Sequence, residues 1–326
     1  MARILVVGAS GAVGRFLLPR LRGAGHDVIA LSRTPRVSAD PRLRWLVGDL
    51  DANLPELPPV DVMISVGPLD AFSRWFARAR VARTPRVIAL GSMSVLTKCD
   101  SPDPDERALA ARLRAAERQL ADAAAACDSA LTVFRPTLIY GAGIDRSVTP
   151  IARFARRWRV FPRIAAASGL RQPVHADDLA AACVAVIGNE RTVGRTYALG
   201  GGERLTFAAM LARVRASLPV ATLPLPIPLV AARGMAALAR ASGWRGISAM
   251  AARRLRVDLV ADHAPAVVDF GWSPRAFQPI WETWASTRDG GDASASQRGE
   301  SLAMATRWPI AIQGAGGRTR QDAHRR

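Results

Sequence analysis

Lysine is nearly missing from this chain. Lys98 stands alone among 45 basic residues, and the arginines that make up the rest outweigh 27 Asp and Glu to give a net charge of +18. Such a balance admits nucleic acid, an anionic membrane surface or an acidic protein as partners. Substitution of arginine for lysine on this scale also reads as compositional bias, so charge by itself assigns no function. Nucleic acid gains no support beyond charge, because no recognition-helix or RNA-binding motif accompanies the arginines. Tyrosine is scarce as well, with Tyr140 and Tyr197 the only two. Cysteine is limited to Cys99, Cys127 and Cys183, an odd and widely spaced set. That excludes a disulfide framework and a C-x-x-C zinc site, and fits core packing in a reducing compartment. No long apolar run is present either: the uncharged stretch from Ala216 to Ala232 carries Pro219, Pro224, Pro226 and Pro228. Those prolines break the roughly 20-residue regular helix that a bilayer span requires. No basic leader with an apolar run precedes the first apolar strand, and the expectation is a cytoplasmic protein.

What is present is ordinary globular composition, with 49% hydrophobic and 22% charged residues over 326 positions. That length fits one large domain or two closely joined ones. Short apolar runs alternate with helical patterns over the first 135 or so residues, the rhythm of βαβ units on a parallel sheet. Strands are expected at Arg3–Val7, Asp27–Leu31, Leu43–Val47, Val60–Val66, Arg86–Leu90 and Ala130–Phe134, with helices at Ala12–Gly23, Leu69–Arg83 and Pro104–Ala126. Beyond Pro136 come a Gly-rich turn at Gly141–Gly143 and a basic helix at Val148–Arg159. A strand at Arg171–Val174, a helix at Ala176–Ile187, a strand at Thr196–Leu199 and a helix at Leu205–Leu218 follow. The fold expected is α/β, a Rossmann-type doubly wound parallel sheet with a smaller C-terminal cap. Residues 1–200 form the nucleotide domain, with 136–180 contributing to its cleft; 201–285 form the cap; 286–326, rich in Gly, Ser, Asp and Arg, read as a disordered tail.

The first strand runs straight into Gly8-Ala9-Ser10-Gly11-Ala12-Val13-Gly14 and then a helix. Chemistry explains each glycine: Gly8 for the tight turn, Gly11 for close backbone approach to a pyrophosphate, Gly14 for packing of helix on strand. The loop Ser10 to Val13 and the helix N-terminus present N–H groups and a positive dipole end to the phosphates. Dinucleotide binding is therefore expected. The end of the second strand chooses the dinucleotide. An NAD site carries Asp or Glu there to take the ribose 2′-OH, whereas this chain has Ser32-Arg33-Thr34 and then Arg36. A guanidinium suits a 2′-phosphate, so NADP is favoured over NAD. Asp49, before Leu50, is placed either to accept from an adenine amino group or to close a turn. Ser65, Val66 and Gly67 end the fourth strand with small side chains that leave room for the ribose.

Five segments together resemble the extended short-chain dehydrogenase/reductase superfamily, in its epimerase/dehydratase branch. They are the three-glycine loop, Gly48-Asp49-Leu50, Gly91-Ser92-Met93-Ser94-Val95, Arg135-Pro136-Thr137-x-x-Tyr140-Gly141 and Val174-His175-Ala176-Asp177-Asp178-Leu179. The resemblance implies a nicotinamide cofactor and a C-terminal substrate domain. It also implies that Arg135, Pro136 and Thr137 line the nicotinamide side and that the His175–Asp178 turn braces the domain junction. Read from the residues alone, His175 is a packed or capping group, and Asp177 and Asp178 are first-turn helix carboxylates.

Members of this superfamily work through a Tyr-x-x-x-Lys pair on the helix after the fifth strand, aided by a Ser or Thr at that strand's end. The tyrosine moves the proton, and the lysine one turn away lowers its pKa. Ser92 matches the hydroxyl position, but family spacing puts the pair at Leu109 and Leu113, and Lys98 lies upstream of both. Two readings follow. In one, the chain binds NADP(H) without that hydride chemistry, in a nucleotide-sensing or accessory role similar to the nucleotide-binding accessory subunit of respiratory complex I. In the other, it is an NAD(P)-dependent reductase or a nucleotide-sugar-type epimerase/dehydratase acting on an unidentified small molecule. Its unconventional acid or base would be drawn from Ser92, Ser94, Asp103, Asp105 and Tyr140. A third class is docking through the basic helix Arg153–Arg159 to a peripheral membrane surface or an acidic protein. Against that stands a plainer reading, in which Phe154, Trp158 and Phe161 are core anchors with the arginines solvated around them.

Overall fold

The computed structural model describes residues 1–52, 54–79, 85–145, 147–163, 168–226 and 257–285. The expected tail 286–326, the end of the expected second helix at 80–83, and residues 227–256 of the expected cap lie outside the described residues.

Seven strands make one parallel sheet: β1 (Arg3–Val7), β2 (Asp27–Ser32), β3 (Leu43–Val47), β4 (Val62–Ser65), β5 (Arg86–Leu90), β6 (Ala130–Pro136) and β11 (Thr196–Leu199). Their order across the sheet is β11-β6-β5-β4-β1-β2-β3. The central strands read as unbroken runs, such as Ile4-Leu5-Val6-Val7, because both of their faces are covered. Helices α1 (Gly14–Gly23) and α6 (Ala176–Ala185) cover one face, where Ile4, Val6, Leu17, Leu21, Ile64 and Leu179 meet. The other face is packed by α2 (Leu69–Arg78) and α4 (Pro104–Ala126), through Phe72, Phe76 and Leu120 against Leu5, Met63 and Val87. The direction of winding reverses between β1 and β4, which puts the topological switch point beside the Gly8 turn.

Helix α4 has the bounds its sequence predicts. Asp103 caps it, its side chain accepting from the Asp105 N–H at 3.0 Å, with Pro104 opening the first turn beside Asp105 and Glu106. Other elements are corrected by tertiary context. The expected strand Arg171–Val174 is two short ones, β9 (Leu170–Arg171) and β10 (Val174–His175). Pro173 interrupts them with no N–H to donate, and the Gln172 side chain turns inward to bond the Gly201 carbonyl and the Ala261 N–H at 2.9 Å each. Leu205–Thr206 form strand β12, paired antiparallel with β9, and helix α7 (Phe207–Ala216) begins only at Phe207 because Thr206 caps it. A one-turn helix α3 (Ser94–Thr97) follows β5 and was not expected.

A third, smaller core draws on both sides of residue 200. Tyr140 from β7 (Ile139–Tyr140), Ala152 and Ala155 from α5 (Thr149–Trp158) and Phe161 from β8 (Val160–Arg163) pack with Met210 and Val214 of α7, Phe277 and Trp284. Strand β13 (Leu223–Pro226) pairs parallel with β8. Among the described residues no helix is long and apolar enough to cross a membrane.

Candidate functional site

At the carboxyl ends of β1, β2 and β4 lies a cleft of about 420 Å³ lined by Gly8, Ser10, Gly11, Arg33, Asp49, Leu50, Val66 and Gly67 among others. Its floor is backbone meeting backbone. Gly8 sits at φ +76°, and a Cβ there would stand 2.6 Å from the Gly67 nitrogen. Both the conformation and the close approach demand glycine. The Gly11 N–H closes the turn on the Gly8 carbonyl at 2.9 Å, and Gly14 lets α1 lie so near Ala9 that a Cβ would come within 2.3 Å of its carbonyl oxygen. No side chain caps α1, and no carboxylate stands in its first turn. The helix end thus keeps its positive character, and a cradle that any side chain would fill remains open to an anion.

Of the residues expected at this cleft, Ala12, Val13 and Ser65 do not line it. Val13 is buried in the core and Ala12 packs against it, so neither side chain reaches the cleft. Ser65 is a correction of substance: it is fully buried and its hydroxyl lacks a protein partner. In a strand successive side chains alternate, and Ser65 shares the parity of Met63, which packs under α2. Asp49 closes a turn, its Oδ1 accepting from the Asp51 N–H at 3.1 Å, while its carboxylate still faces the cleft. Asp51 is bound by Arg74 at 2.7 Å. Arg33 is exposed on the wall where β2 ends.

Further along the strand ends, a cavity of about 510 Å³ is lined by Ser92, Ser94, Lys98, Glu106, Thr137 and Arg171, with apolar residues between them. Ser92 Oγ accepts from the Ser94 N–H at 3.1 Å, which fixes the start of α3 and leaves the Ser92 proton free to be given to a ligand. Lys98, which spacing alone set aside as upstream, lies on the wall because α3 folds it back toward Ser92. Arg171 enters from β9, and its Nη1 donates to the Leu170 and Val257 carbonyls at 2.8 Å each. Nothing in its local spacing marks it; only the pairing of β9 brings it in.

Pro136 and Thr137 line this cavity, and the Thr137 hydroxyl donates to the Gln172 carbonyl. Arg135 departs from expectation. Its guanidinium forms a two-pronged ion pair with Glu117 of α4, at 2.9 and 2.5 Å. Gly91 sits against the same carboxylate, where a Cβ would be 2.9 Å from Glu117 Oε1. On α4 the residues Glu106, Leu109, Ala110, Leu113 and Glu117 share one face at helical spacing. One end of that stripe lines the cavity and the other pairs with Arg135, so Leu109 and Leu113 lie between them.

Three of the alternative proton donors are committed elsewhere. Asp103 caps α4, and Asp105 is exposed on the first turn of that helix. Tyr140 is buried among His175, Phe277 and Trp284, and burial pushes its phenol up to about 12. Ser92 and Ser94 remain in the cavity.

The His175–Asp178 turn opens helix α6. His175 Nδ1 accepts from the Asp177 N–H at 3.1 Å and so caps α6, with its ring against Phe16 of α1 at 5.3 Å. Burial and the nearby Arg275 hold the imidazole below its ordinary pKa. Asp177 joins Arg20 of α1, at 2.6 and 2.9 Å, to Arg275, at 2.7 Å; Asp178 holds the same Arg275 at 2.8 Å. The Arg20 hydrogen bond, then that of Arg275, keeps Asp177 below the usual carboxylate range despite partial burial.

A parallel sheet in this order, with a glycine cradle at its switch point and a hydroxyl-rich cavity beside it, defines a Rossmann-type protein of the extended short-chain dehydrogenase/reductase class. Sequence comparison gives the family. The model of the NAD dependent epimerase/dehydratase family matches residues 4–57 and 73–200, more than half of the chain, and the chain belongs to that family. A curated relative from Arabidopsis thaliana, the mitochondrial NADH dehydrogenase [ubiquinone] 1 alpha subcomplex subunit 9, is 28% identical over 228 residues. That match takes in 62% of this chain and 54% of the relative, so the chain spans about half the length of the curated relative it matches. Among solved structures, MoeE5 in complex with UDP-glucuronic acid and NAD superimposes with a TM-score of 0.65 at 19% identity, covering 90% of this chain and 99% of that one. The epimerase Mth375 of Methanothermobacter thermautotrophicus gives 0.65 at 15% identity, covering 91% and 94%. At these identities the likeness concerns the fold.

Proposed function

We propose that this chain holds NADP(H) in the Gly8 cleft and serves in an accessory or nucleotide-sensing role, without the Tyr/Lys hydride chemistry usual in its family. The observation that carries the proposal is the pair Leu109 and Leu113, on the α4 stripe between Glu106 and Glu117. Neither side chain can take or give a proton. Arg114, beside them, effectively never deprotonates, so it cannot take over the proton transfer.

The cleft residues fit a dinucleotide. Gly8, Ser10 and Gly11 would meet the pyrophosphate at the open end of α1, Val66 and Gly67 would flank the ribose, and Asp49 with Leu50 would hold the adenine. Arg33 would take a 2′-phosphate, and no carboxylate stands at the end of β2 to repel one. Both MoeE5 and the family name point to NAD, so selection of NADP rests on Arg33. A bound nicotinamide supplies or accepts a hydride; what this chain lacks is the proton-transferring pair beside it. The Arabidopsis relative is named as a subunit of a larger assembly, which supports a protein partner here as well.

A second reading has one observation in its favour. Ser92 and Lys98 share a cavity with Thr137, so an unidentified small molecule could be reduced or epimerised there by an unconventional acid. One experiment separates the readings. NADPH is added to the purified chain, its thermal stabilisation is measured, and nicotinamide absorbance is then followed across a panel of carbonyl substrates. Stabilisation without consumption is the expected result. Steady oxidation that collapses in Ser92→Ala would establish the second reading.

A further inference from the structure

The excess positive charge is not spread over the chain. Residues 146–176 and 204–257 together hold 16 arginines and not one Asp or Glu, so outside them the net charge is only +2 of the total +18. In the described fold these stretches build neighbouring elements: α5 and β8 from the first, α7 and β13 from the second. Strand β13 pairs with β8, and the Leu223 N–H donates to the Arg159 carbonyl at 2.8 Å.

The same elements expose their large apolar side chains. Helix α5 buries only small residues, Thr149, Ala152 and Ala155. At 100° per residue Phe154 and Trp158 then fall on its opposite side, and they are 50% and 61% exposed with ring centroids 6.4 Å apart. This corrects the expectation that both are core anchors; of the three aromatics only Phe161 is buried. Arg157 lies over the Trp158 ring at 5.3 Å and Arg156 over Trp281 at 4.6 Å. Leu223 and Leu225 of β13 are 68% and 50% exposed. Arg153 is the exception among the helix arginines, tied to the Gly143 and Trp284 carbonyls at 2.7 and 3.2 Å.

We propose that this face docks on an anionic lipid surface. Aromatic rings with guanidinium groups packed against them suit a bilayer interface, where the ring sits at headgroup level and the cation meets phosphate. A protein surface of mixed charge would leave these arginines facing cations as well as anions. Arg156, Arg157 and Arg159, close together at the end of α5, match the uniformly negative leaflet.

The test is flotation of the full chain with vesicles of phosphatidylcholine alone and with added phosphatidylglycerol. Binding confined to the anionic vesicles and weakened by salt is expected. Arg157→Glu with Trp158→Ser should reduce it at least about tenfold, as two lost interfacial contacts imply. The same charge reversal elsewhere, Arg118→Glu alone, should change it less than about twofold. Stabilisation by NADPH should persist in both variants, which certifies their fold and separates this proposal from the cofactor reading. Equal loss in the two variants would reduce the effect to net charge and overturn the proposal. Binding to neutral vesicles, binding to neither, or a solution dimer that the Trp158 variant dissociates would overturn it too.

Discussion

The two cavities at the strand ends are built on different principles. At the Gly8 cleft, backbone touches backbone, and the positions that matter are those where a side chain is forbidden: Gly8 against Gly67, Gly14 against Ala9. At the Ser92 cavity the positions that matter are those where a side chain must act, Ser92, Ser94, Lys98 and Thr137 on its wall, and the α4 stripe running from Glu106 offers Leu109 and Leu113. A cradle of main chain tolerates change only at the cost of the fold. Functional side chains on a helix face can be exchanged with little structural consequence.

The sharpest way to break this contrast is at the cradle. Gly14→Val would drive a branched side chain into the Ala9 carbonyl, with a Cβ position only 2.3 Å from that oxygen. Such overpacking typically costs about 1–3 kcal/mol and here displaces α1, so thermal unfolding should fall by several degrees and dinucleotide binding should be lost. Unchanged melting and binding would show that the turn is not a cradle. Next in size is Arg33→Ala. Loss of a charge-assisted hydrogen bond worth about 1.5–3 kcal/mol should weaken NADPH roughly 10- to 100-fold and leave NADH unaffected, as measured by calorimetric titration. Equal weakening of both would place Arg33 outside the 2′-phosphate site.

A smaller effect is expected at the junction behind the cleft. Arg20→Ala removes one of two guanidinium partners of Asp177, which is about four-fifths buried in its side chain. Its partner is itself 40% exposed, so solvent screening limits the loss to about 1 kcal/mol, visible in urea denaturation. The smallest effect concerns pH. His175 is held neutral by burial, so the unfolded chain binds more protons once pH drops below about 6.5, and stability should decline from there toward acid. Protonation would also remove the acceptor that caps α6. His175→Asn keeps a capping acceptor and should flatten that limb, leaving the later acid loss that comes when Asp177 is protonated. An unaltered profile would mean that His175 does not titrate with folding.

The contrast also explains what could be read in advance. Local rules govern the cradle and the long helix α4, so Gly8, Gly11, Gly14 and the bounds Pro104–Ala126 are legible from spacing and capping residues. The cavity is assembled by distant pairing. Arg171 reaches it on a two-residue strand held by β12, and Lys98 by a single turn of helix, neither of which leaves a periodic trace. Phe154 and Trp158 misled for the opposite reason: their spacing of four is regular, but the helix buries its alanines instead. Ser65 looked like part of a small-residue strand end, and only the alternation of β4 turns it inward.

Native mass spectrometry of the gently purified chain tests the central claim most directly, since it weighs the bound nucleotide and counts it. The account predicts one NADP(H) per chain, heavier than NAD(H) by the 2′-phosphate and released in Arg33→Ala. Bound NAD(H) that persists in Arg33→Ala, or a chain that takes up no dinucleotide when NADPH is supplied, would contradict it.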